Sequence, residues 1–267
     1  MQNFNFKNSL VYRLKRFLVL SFRFIFHHKT VVVIFSSMRA GSTLLKALMG
    51  EAPDVSNMPE TDYRTYYSQK NGFDERIYKL SNKRILVMKF PFAFNDMGTV
   101  WPCPQGRNVK AIVLIRDAYN VVKSIETRSQ VMQSAHMTKG DIVNYWCECY
   151  ESILKTLESG HVEAHIIRYE DLIKSPKRET KNVFQFIGSR KHAGVENYSK
   201  PKSFEWKWGL DDGGENIQKL TVIKSLAEPA LDDKELVEIL SKSQRVHALR
   251  KKFGYTNNDY AEVTKVG

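Results

Sequence analysis

Acidic residues are missing from the start of this chain. No Asp or Glu precedes Glu51, whereas the same stretch contains eight basic residues: Lys7, Arg13, Lys15, Arg16, Arg23, Lys29, Arg39 and Lys46. The whole chain of 267 residues has a formal net charge of +12. A positive field of this kind favours an anionic partner, such as a membrane surface, a nucleic acid or a polyanionic small molecule.

Cysteine is also scarce, with three residues in the chain. Cys147 and Cys149 lie two residues apart in a helical pattern and therefore point to different faces, and Cys103 lies between two prolines. An odd number of cysteines without metal-ligand spacing argues against a disulfide framework and indicates a reducing compartment. We therefore predict no bound metal and a cytoplasmic location.

Long uncharged hydrophobic runs are missing as well, and no segment approaches the roughly 20 residues that a membrane-spanning helix needs. Residues 9–26 have apolar side chains at helical spacing, but basic residues interrupt them. The pattern predicts a basic amphipathic helix within residues 1–30. Its role stays open between packing on the domain, a peripheral contact with an anionic membrane surface, and a presequence.

Short apolar runs alternate with helical patterns over the rest of the chain. The runs predict strands at Val31–Phe35, Ile85–Met88, Ala111–Ile115 and His165–Ile167. Helices are predicted at Thr43–Met49, Tyr119–Thr127, Asp141–Leu157, Pro176–Ile187 and Asp232–Leu240. This alternation is typical of a P-loop-like, three-layer α/β/α fold with a central parallel sheet. We predict a single domain over residues 31–257, with a ligand-binding core at 31–188, a polar lid loop at 189–218 and a tail at 258–267.

The turn after the first predicted strand combines an arginine, a glycine and two hydroxyls. In SSMRAGSTLL, Arg39 and Gly41 precede Ser42 and Thr43 at the start of a helix. Helix N-termini offer free N–H groups to anions, and open parallel sheets bind ligands beyond the carboxyl ends of their strands. The pattern therefore predicts an anion site at this turn.

The same turn departs from the G-x-x-x-x-G-K-[ST] loop of nucleotide triphosphatases. When the two are aligned on Gly41, Ser36 replaces the first glycine and Ser42 replaces the lysine. That lysine grips the terminal phosphates of a triphosphate. The sequence therefore predicts an anion site that does not serve ATP hydrolysis.

A second candidate anion motif follows the third predicted strand. LIRDAYNVVKS has Arg116 at the strand end and Ser124 eight residues later in the next helix. The two side chains can converge on one phosphate, while an ion pair between Arg116 and Asp117 is the structural alternative. Two anion sites at one sheet edge favour a ligand with two separated phosphates.

These motifs resemble those of sulfotransferases that use 3′-phosphoadenosine 5′-phosphosulfate (PAPS). SSMRAGSTLL is similar to the family's 5′-phosphosulfate loop, LIRDAYNVVKS to its 3′-phosphate motif, and IIRYEDLIKSPKRETKNVFQFIG to the segment that follows. The arginine in the first loop is closer to carbohydrate, Golgi-type and bacterial members than to the cytosolic phenol and steroid enzymes. The resemblance implies transfer of a sulfuryl group to a hydroxyl acceptor, such as a sugar or glycolipid, with no nucleic-acid partner.

The resemblance also implies which residues bind the donor. Arg39, Ala40, Gly41, Ser42, Thr43 and Leu44 would hold the 5′-phosphosulfate, Arg116 and Ser124 the 3′-phosphate, and Tyr169 would lie near the adenine. A packing role between sheet and helix is the alternative for Tyr169. Lys207 and Lys219 are the candidates for closing over the adenosine.

Sulfuryl transfer needs a base for the acceptor proton and cations near the leaving group. Arg39 is the candidate for stabilising the leaving group, and Lys89 is the candidate for contacting the sulfuryl group or the acceptor, at the end of the strand in ILVMKFPF. Glu60 is the first candidate base by resemblance to carbohydrate sulfotransferases. Asp62 is the fallback, and His136 is a third candidate because histidine is the base in the cytosolic branch.

The segment DIVNYWCECYESIL has Ile142, Trp146, Cys149, Tyr150 and Ile153 at core spacing, which predicts a packing helix. Residues 128–140 before it are expected to line the acceptor pocket. Two other functions stay open at this point. A nucleotide-dependent kinase would require ATP and magnesium, and a basic membrane- or nucleic-acid-binding module would bind in a strongly salt-dependent way.

Overall fold

The computed structural model describes residues 29–56, 67–68, 72–73, 76, 81–97, 108–128, 134, 136–160, 162–200, 215–224, 231–255 and 260. The strands are β1 (Thr30–Ser37), β2 (Tyr67–Ser68), β3 (Gly72–Phe73), β4 (Ile85–Phe92), β5 (Val109–Ile115) and β6 (Ala164–Arg168). The helices are α1 (Ser42–Met49), α2 (Ala118–Glu126), α3 (Lys139–Gly160), α4 (Tyr169–Lys174), α5 (Pro176–Phe186), α6 (Lys234–Lys242) and α7 (Gln244–Lys252). Among these residues, no helix has the length and apolar character needed to cross a membrane. The helix predicted within residues 1–30 lies almost entirely outside the described residues, as does the tail at 258–267 apart from Tyr260.

Four parallel strands form the central sheet in the order β4-β1-β5-β6. Side chains on both faces of β1 are buried, as expected for a parallel strand covered by helices on each side. One apolar cluster joins one face of the sheet to α2, α3, α6 and α7, and a second joins the other face to α1, α4 and α5. The predicted three-layer α/β/α fold is therefore confirmed.

Strand β4 extends farther than the sequence analysis predicted. We expected it to end near Lys89, but it continues to Phe92, and Pro91 pairs with Ser36 of β1 inside the strand. Proline lacks an N–H donor and is tolerated in edge strands, and β4 lies at the edge of the four-stranded sheet. Lys89 therefore lies within the strand instead of at its end.

The strand order creates a crevice at the carboxyl end of the sheet, between β1 and β5. The chain leaves β1 through α1 on one face toward β4, and it leaves β5 through α2 and α3 on the other face toward β6. Open α/β sheets bind their ligands between two neighbouring strands whose connections leave in opposite directions. Both predicted anion motifs follow these two strands, so the fold brings them to the same crevice.

The predicted lid loop at 189–218 is described only at its two ends. Tyr198 is 4% exposed and donates a hydrogen bond to the carbonyl of Ile217 at 2.9 Å. A bridge between Asn197 and Thr221 also joins the two ends. These ends pack on the domain, while residues 201–214 lie outside the described part of the chain, so the role of the loop as a lid stays a prediction.

Candidate active site

The loop between β1 and α1 contains two residues with left-handed backbone. Arg39 has φ 62° and Gly41 has φ 94°. A Cβ atom at Gly41 would lie 2.5 Å from Cδ2 and Cε2 of Tyr169, so both the backbone angle and the close contact require glycine. Helix α1 begins immediately after this turn, and its unpaired N-terminal N–H groups therefore lie at the carboxyl end of the sheet.

The two predicted anion motifs are in direct contact. Nε of Arg39 donates a hydrogen bond to Oγ of Ser124 at 3.1 Å, although the two residues belong to different motifs. Nη1 of Arg116 donates to the backbone carbonyl of Arg39 at 2.9 Å. The side chains of Arg39 and Arg116 therefore belong to one continuous surface, which contains residues of both motifs.

Arg116 forms no ion pair within the part of the chain that the structure describes. Asp117, its possible partner from the sequence, is buried and instead contacts Arg250 and the hydroxyl of Tyr260. Nε of Arg116 is buried and has no hydrogen-bond partner. A buried charged donor without a partner is costly, and an anion in the crevice would relieve that cost. This chemistry fits the phosphate groups of the predicted donor.

The ring of Tyr169 lies between the loop and Arg116. The guanidinium carbon of Arg116 is 4.5 Å from the ring centroid, and the ring edge contacts Gly41. Tyr169 is 7% exposed, and burial raises the pKa of its hydroxyl, while the charge of Arg116 acts in the opposite direction. Tyr169 also belongs to the apolar cluster that joins the sheet to α1, α4 and α5, and its contact with adenine stays a prediction.

Lys89 reaches the site from β4. Its side chain is almost fully buried, and Nζ donates to Oγ1 of Thr43, in the first turn of α1, at 2.8 Å. The ammonium group therefore lies beside the N-terminus of this helix. Of the other predicted 5′-phosphosulfate residues, Ala40 and Ser42 are buried, and Leu44 in α1 is partly buried against the apolar cluster on that face of the sheet.

Among the candidate bases, the structure describes His136 alone, since Glu60 and Asp62 lie outside the described residues. His136 is exposed in the turn before α3. Hydrogen bonds from Thr138 are the main cause of the lowered pKa of the nearby Asp141, and the charge of His136 lowers this pKa further. His136 is thus an exposed side chain just before α3, and its role as a base stays a prediction. Of the candidates for adenosine closure, Lys219 is exposed and Lys207 lies outside the described residues.

Three polar groups of α3 reach the strand ends, a role that the sequence analysis missed by treating this helix as packing alone. Trp146 Nε1 donates to the carbonyl of Arg116 at 2.9 Å, Tyr145 OH accepts from the N–H of Met38 at 2.7 Å, and Tyr150 OH donates to the carbonyl of Leu114 at 3.0 Å. A buried tyrosine or tryptophan usually has a partner for its polar atom. The buried positions of these residues in the helical pattern were the available signal.

Two residues from later in the chain, Glu170 and Arg250, contact Asp117 at the start of α2, next to Arg116. Glu170 accepts hydrogen bonds from the N–H of Asp117 at 3.0 Å and from the hydroxyl of Tyr255 at 2.8 Å. Burial raises the pKa of Glu170, and its hydrogen bond with Tyr255 opposes this shift. Arg250 pairs with Asp117 across 133 residues of sequence, a separation that no local pattern reveals.

A sequence profile described as a sulfotransferase domain matches residues 29–208, which include both anion motifs. The sulfotransferase domain from the curacin biosynthetic pathway has 17% sequence identity and a TM-score of 0.57, over 85% of this chain and 98% of that domain. The sulfotransferase domain from the Synechococcus PCC 7002 olefin synthase has 19% identity and a TM-score of 0.57, over 86% and 97% of the two chains. At these identities the two structures support the fold, and no curated protein matches the sequence. Because the profile covers more than half of the chain, this protein belongs to the sulfotransferase domain family and is a sulfotransferase enzyme.

Proposed function

We propose that this sulfotransferase transfers the sulfuryl group of PAPS to a hydroxyl acceptor, which is a sugar or a glycolipid. The hydrogen bond between Arg39 and Ser124 is the observation that supports the donor most directly. It joins the two predicted phosphate-binding motifs in one crevice, as a ligand with two phosphates on one nucleoside requires. The buried Nε of Arg116 without a partner adds a donor that a phosphate would satisfy.

The donor would bind across the crevice in the orientation that the motifs imply. The N-terminus of α1, with Ser42 and Thr43, would hold the 5′-phosphosulfate. Arg116 and Ser124 would hold the 3′-phosphate, and the planar guanidinium of Arg116 suits a bidentate contact with phosphate oxygens. Arg39 lies between the two groups and would bind the bridging phosphate oxygen.

In the proposed reaction, the acceptor oxygen attacks sulfur in line with the leaving bisphosphate. A new O–S bond forms while the S–O bond to the 5′-phosphate breaks, and the acceptor proton passes to a base. Arg39 and the α1 N-terminus stabilise the charge that develops on the leaving phosphate, and Lys89 stabilises the sulfuryl oxygens. Glu60 is the proposed base, with Asp62 and His136 as the alternatives, and we propose that these protein cations act without a metal ion.

Ligand-dependent stability tests the donor assignment. We expect adenosine 3′,5′-bisphosphate (PAP) to raise the melting temperature without magnesium, since a ligand at 100 times its Kd stabilises the native state by about 2.7 kcal/mol. ATP with magnesium is the comparison ligand. Stabilisation by ATP and magnesium alone would overturn this function in favour of a kinase.

Transfer from radiolabelled PAPS to a panel of sugars, glycolipids and phenols then tests the acceptor class, and transfer to phenols alone would contradict the carbohydrate assignment.

The role of Lys89 predicts a difference between two ligands. Lys89→Ala should weaken the binding of PAPS about tenfold more than that of PAP, because the bisphosphate lacks the sulfuryl group that the ammonium contacts. Isothermal titration with both ligands at one ionic strength measures this difference. Lys110→Ala is the matched control, since Lys110 also lies in a strand and donates to a carbonyl, that of Phe186, at 2.6 Å. Equal losses for PAPS and PAP in Lys89→Ala would contradict this role.

A further inference from the structure

The backbone at the carboxyl end of the sheet needs partners that the strands do not supply. The pairing of β1 with β4 ends at Ser37 and Phe92, and its pairing with β5 ends at Ser36 and Leu114. Buried N–H and C=O groups at such ends are costly unless a side chain or a ligand satisfies them. In this protein, three side chains of one helix, α3, supply such partners.

Tyr145 joins the end of β4 to the loop that carries Arg39. Its hydroxyl donates to the carbonyl of Phe92 at 2.5 Å and accepts from the N–H of Met38 at 2.7 Å. A tyrosine hydroxyl has one hydrogen, and a carbonyl can only accept, so the directions of both bonds are fixed. The hydroxyl therefore holds the backbone of the residue directly before Arg39.

Tyr150 joins the end of β1 to the end of β5. Its hydroxyl donates to the carbonyl of Leu114 at 3.0 Å and therefore accepts from Oγ of Ser37, at 3.2 Å. The N–H of Arg116 also points at this oxygen, at 3.4 Å. Trp146 completes the set by donating to the carbonyl of Arg116. The backbone of Arg116 is thus held on both its N–H and its C=O.

We propose that Tyr145 and Tyr150 are positioning residues for donor binding, which fix the backbone on the two sides of the crevice from which Arg39 and Arg116 extend. This inference rests on the proposed function. Burial raises the pKa of both hydroxyls above the ordinary value, so both stay neutral and neither serves as a base. Each hydroxyl acts on the donor only through the backbone next to an arginine.

Tyrosine-to-phenylalanine variants isolate the hydroxyls from the packing of the rings. The ring of Tyr145 packs on Phe94 and that of Tyr150 on Trp146 and Phe253, and phenylalanine keeps these contacts. Tyr119 offers a matched control. It is 2% exposed, donates to Asp232 at 2.8 Å and accepts from the N–H of Asp233 at 3.1 Å, between α2 and α6.

The decisive measurement is PAP affinity beside thermal stability in three variants of the full chain. Tyr145→Phe and Tyr150→Phe should each weaken PAP binding at least about tenfold, because small displacements of binding groups have large effects on ligand geometry. Tyr119→Phe should lower the melting temperature by a similar amount and leave the Kd for PAP unchanged. Equal PAP affinity in all three variants would overturn the proposal and leave the tyrosines as supports of the fold alone.

Hydrogen exchange without ligand separates this inference from the proposed function. Amides in residues 36–44 and 114–118 should exchange faster in Tyr145→Phe and Tyr150→Phe than in the wild type or in Tyr119→Phe. If the wild type fails to bind PAP, the proposed donor is wrong, and unchanged exchange in these segments would then also overturn the positioning role. If Tyr150→Phe fails to fold, Tyr145→Phe alone decides the outcome, because its hydroxyl joins the end of β4 directly to the loop that carries Arg39.

Discussion

Replacing Arg116 with alanine is expected to weaken PAP binding about a thousandfold, the largest loss for any single side chain of the crevice. Two charge-assisted hydrogen bonds to a phosphate, each contributing about 1.5–3 kcal/mol, correspond to a loss of this order. The substitution also removes the donor to the carbonyl of Arg39 and the cation that packs on the ring of Tyr169. Isothermal titration with PAP at a fixed ionic strength measures the effect.

The control for this experiment is Arg245→Ala, which removes the same charge from the protein. Arg245 makes a two-point contact with Glu151, with both distances 2.8 Å, on the outer side of α3 and α7. A general loss of positive field would weaken PAP binding equally in both variants, and that result would contradict a specific role for Arg116. Arg116→Lys should lie between the wild type and alanine, because lysine keeps the charge but lacks the planar fork.

Replacing Gly41 with alanine is expected to weaken PAP binding about a hundredfold, because the change displaces the loop that carries Arg39. The new Cβ would lie 2.5 Å from two ring carbons of Tyr169, so the ring or the loop has to move. The left-handed backbone at φ 94° adds strain of about 1–2 kcal/mol for a residue with a Cβ. PAP titration beside a thermal melt separates the loss of binding from the loss of stability.

Gly188→Ala separates the strain from the clash. Gly188 also has a left-handed backbone, with φ 69°, but a Cβ there would meet nothing within 4 Å. This variant should lose stability and keep its affinity for PAP. The double variant Gly41→Ala/Tyr169→Ala lacks the ring contact. Compared with Tyr169→Ala alone, it should lose only as much PAP affinity as the backbone strain at position 41 explains. If Gly188→Ala loses as much affinity as Gly41→Ala, backbone strain and not the ring contact explains the effect.

The predicted strands and most predicted helices were confirmed because their residues show strong local patterns. Four apolar runs became the four strands of the central sheet, and the boundaries of α1 and α2 differ by one residue from the prediction. Helices α4 and α7 were missed for physical reasons. Helix α4 has six residues, too few to show a helical period, and α7 is largely polar and buries only Val246, Leu249 and Arg250.

The sequence by itself determined the fold class and the family of the protein, and it predicted which residues bind anions. Hydroxyls, glycine and arginine directly after apolar strands point to phosphate chemistry wherever those strands pair. Only the tertiary structure decided how these residues meet. Strand order brought Arg39 to Ser124, Asp117 turned to Arg250 instead of Arg116, and α3 placed its tyrosine hydroxyls on the strand ends. These contacts join residues far apart in the chain, and their partners follow from the packing of the helices on the sheet, which local periodicity does not encode.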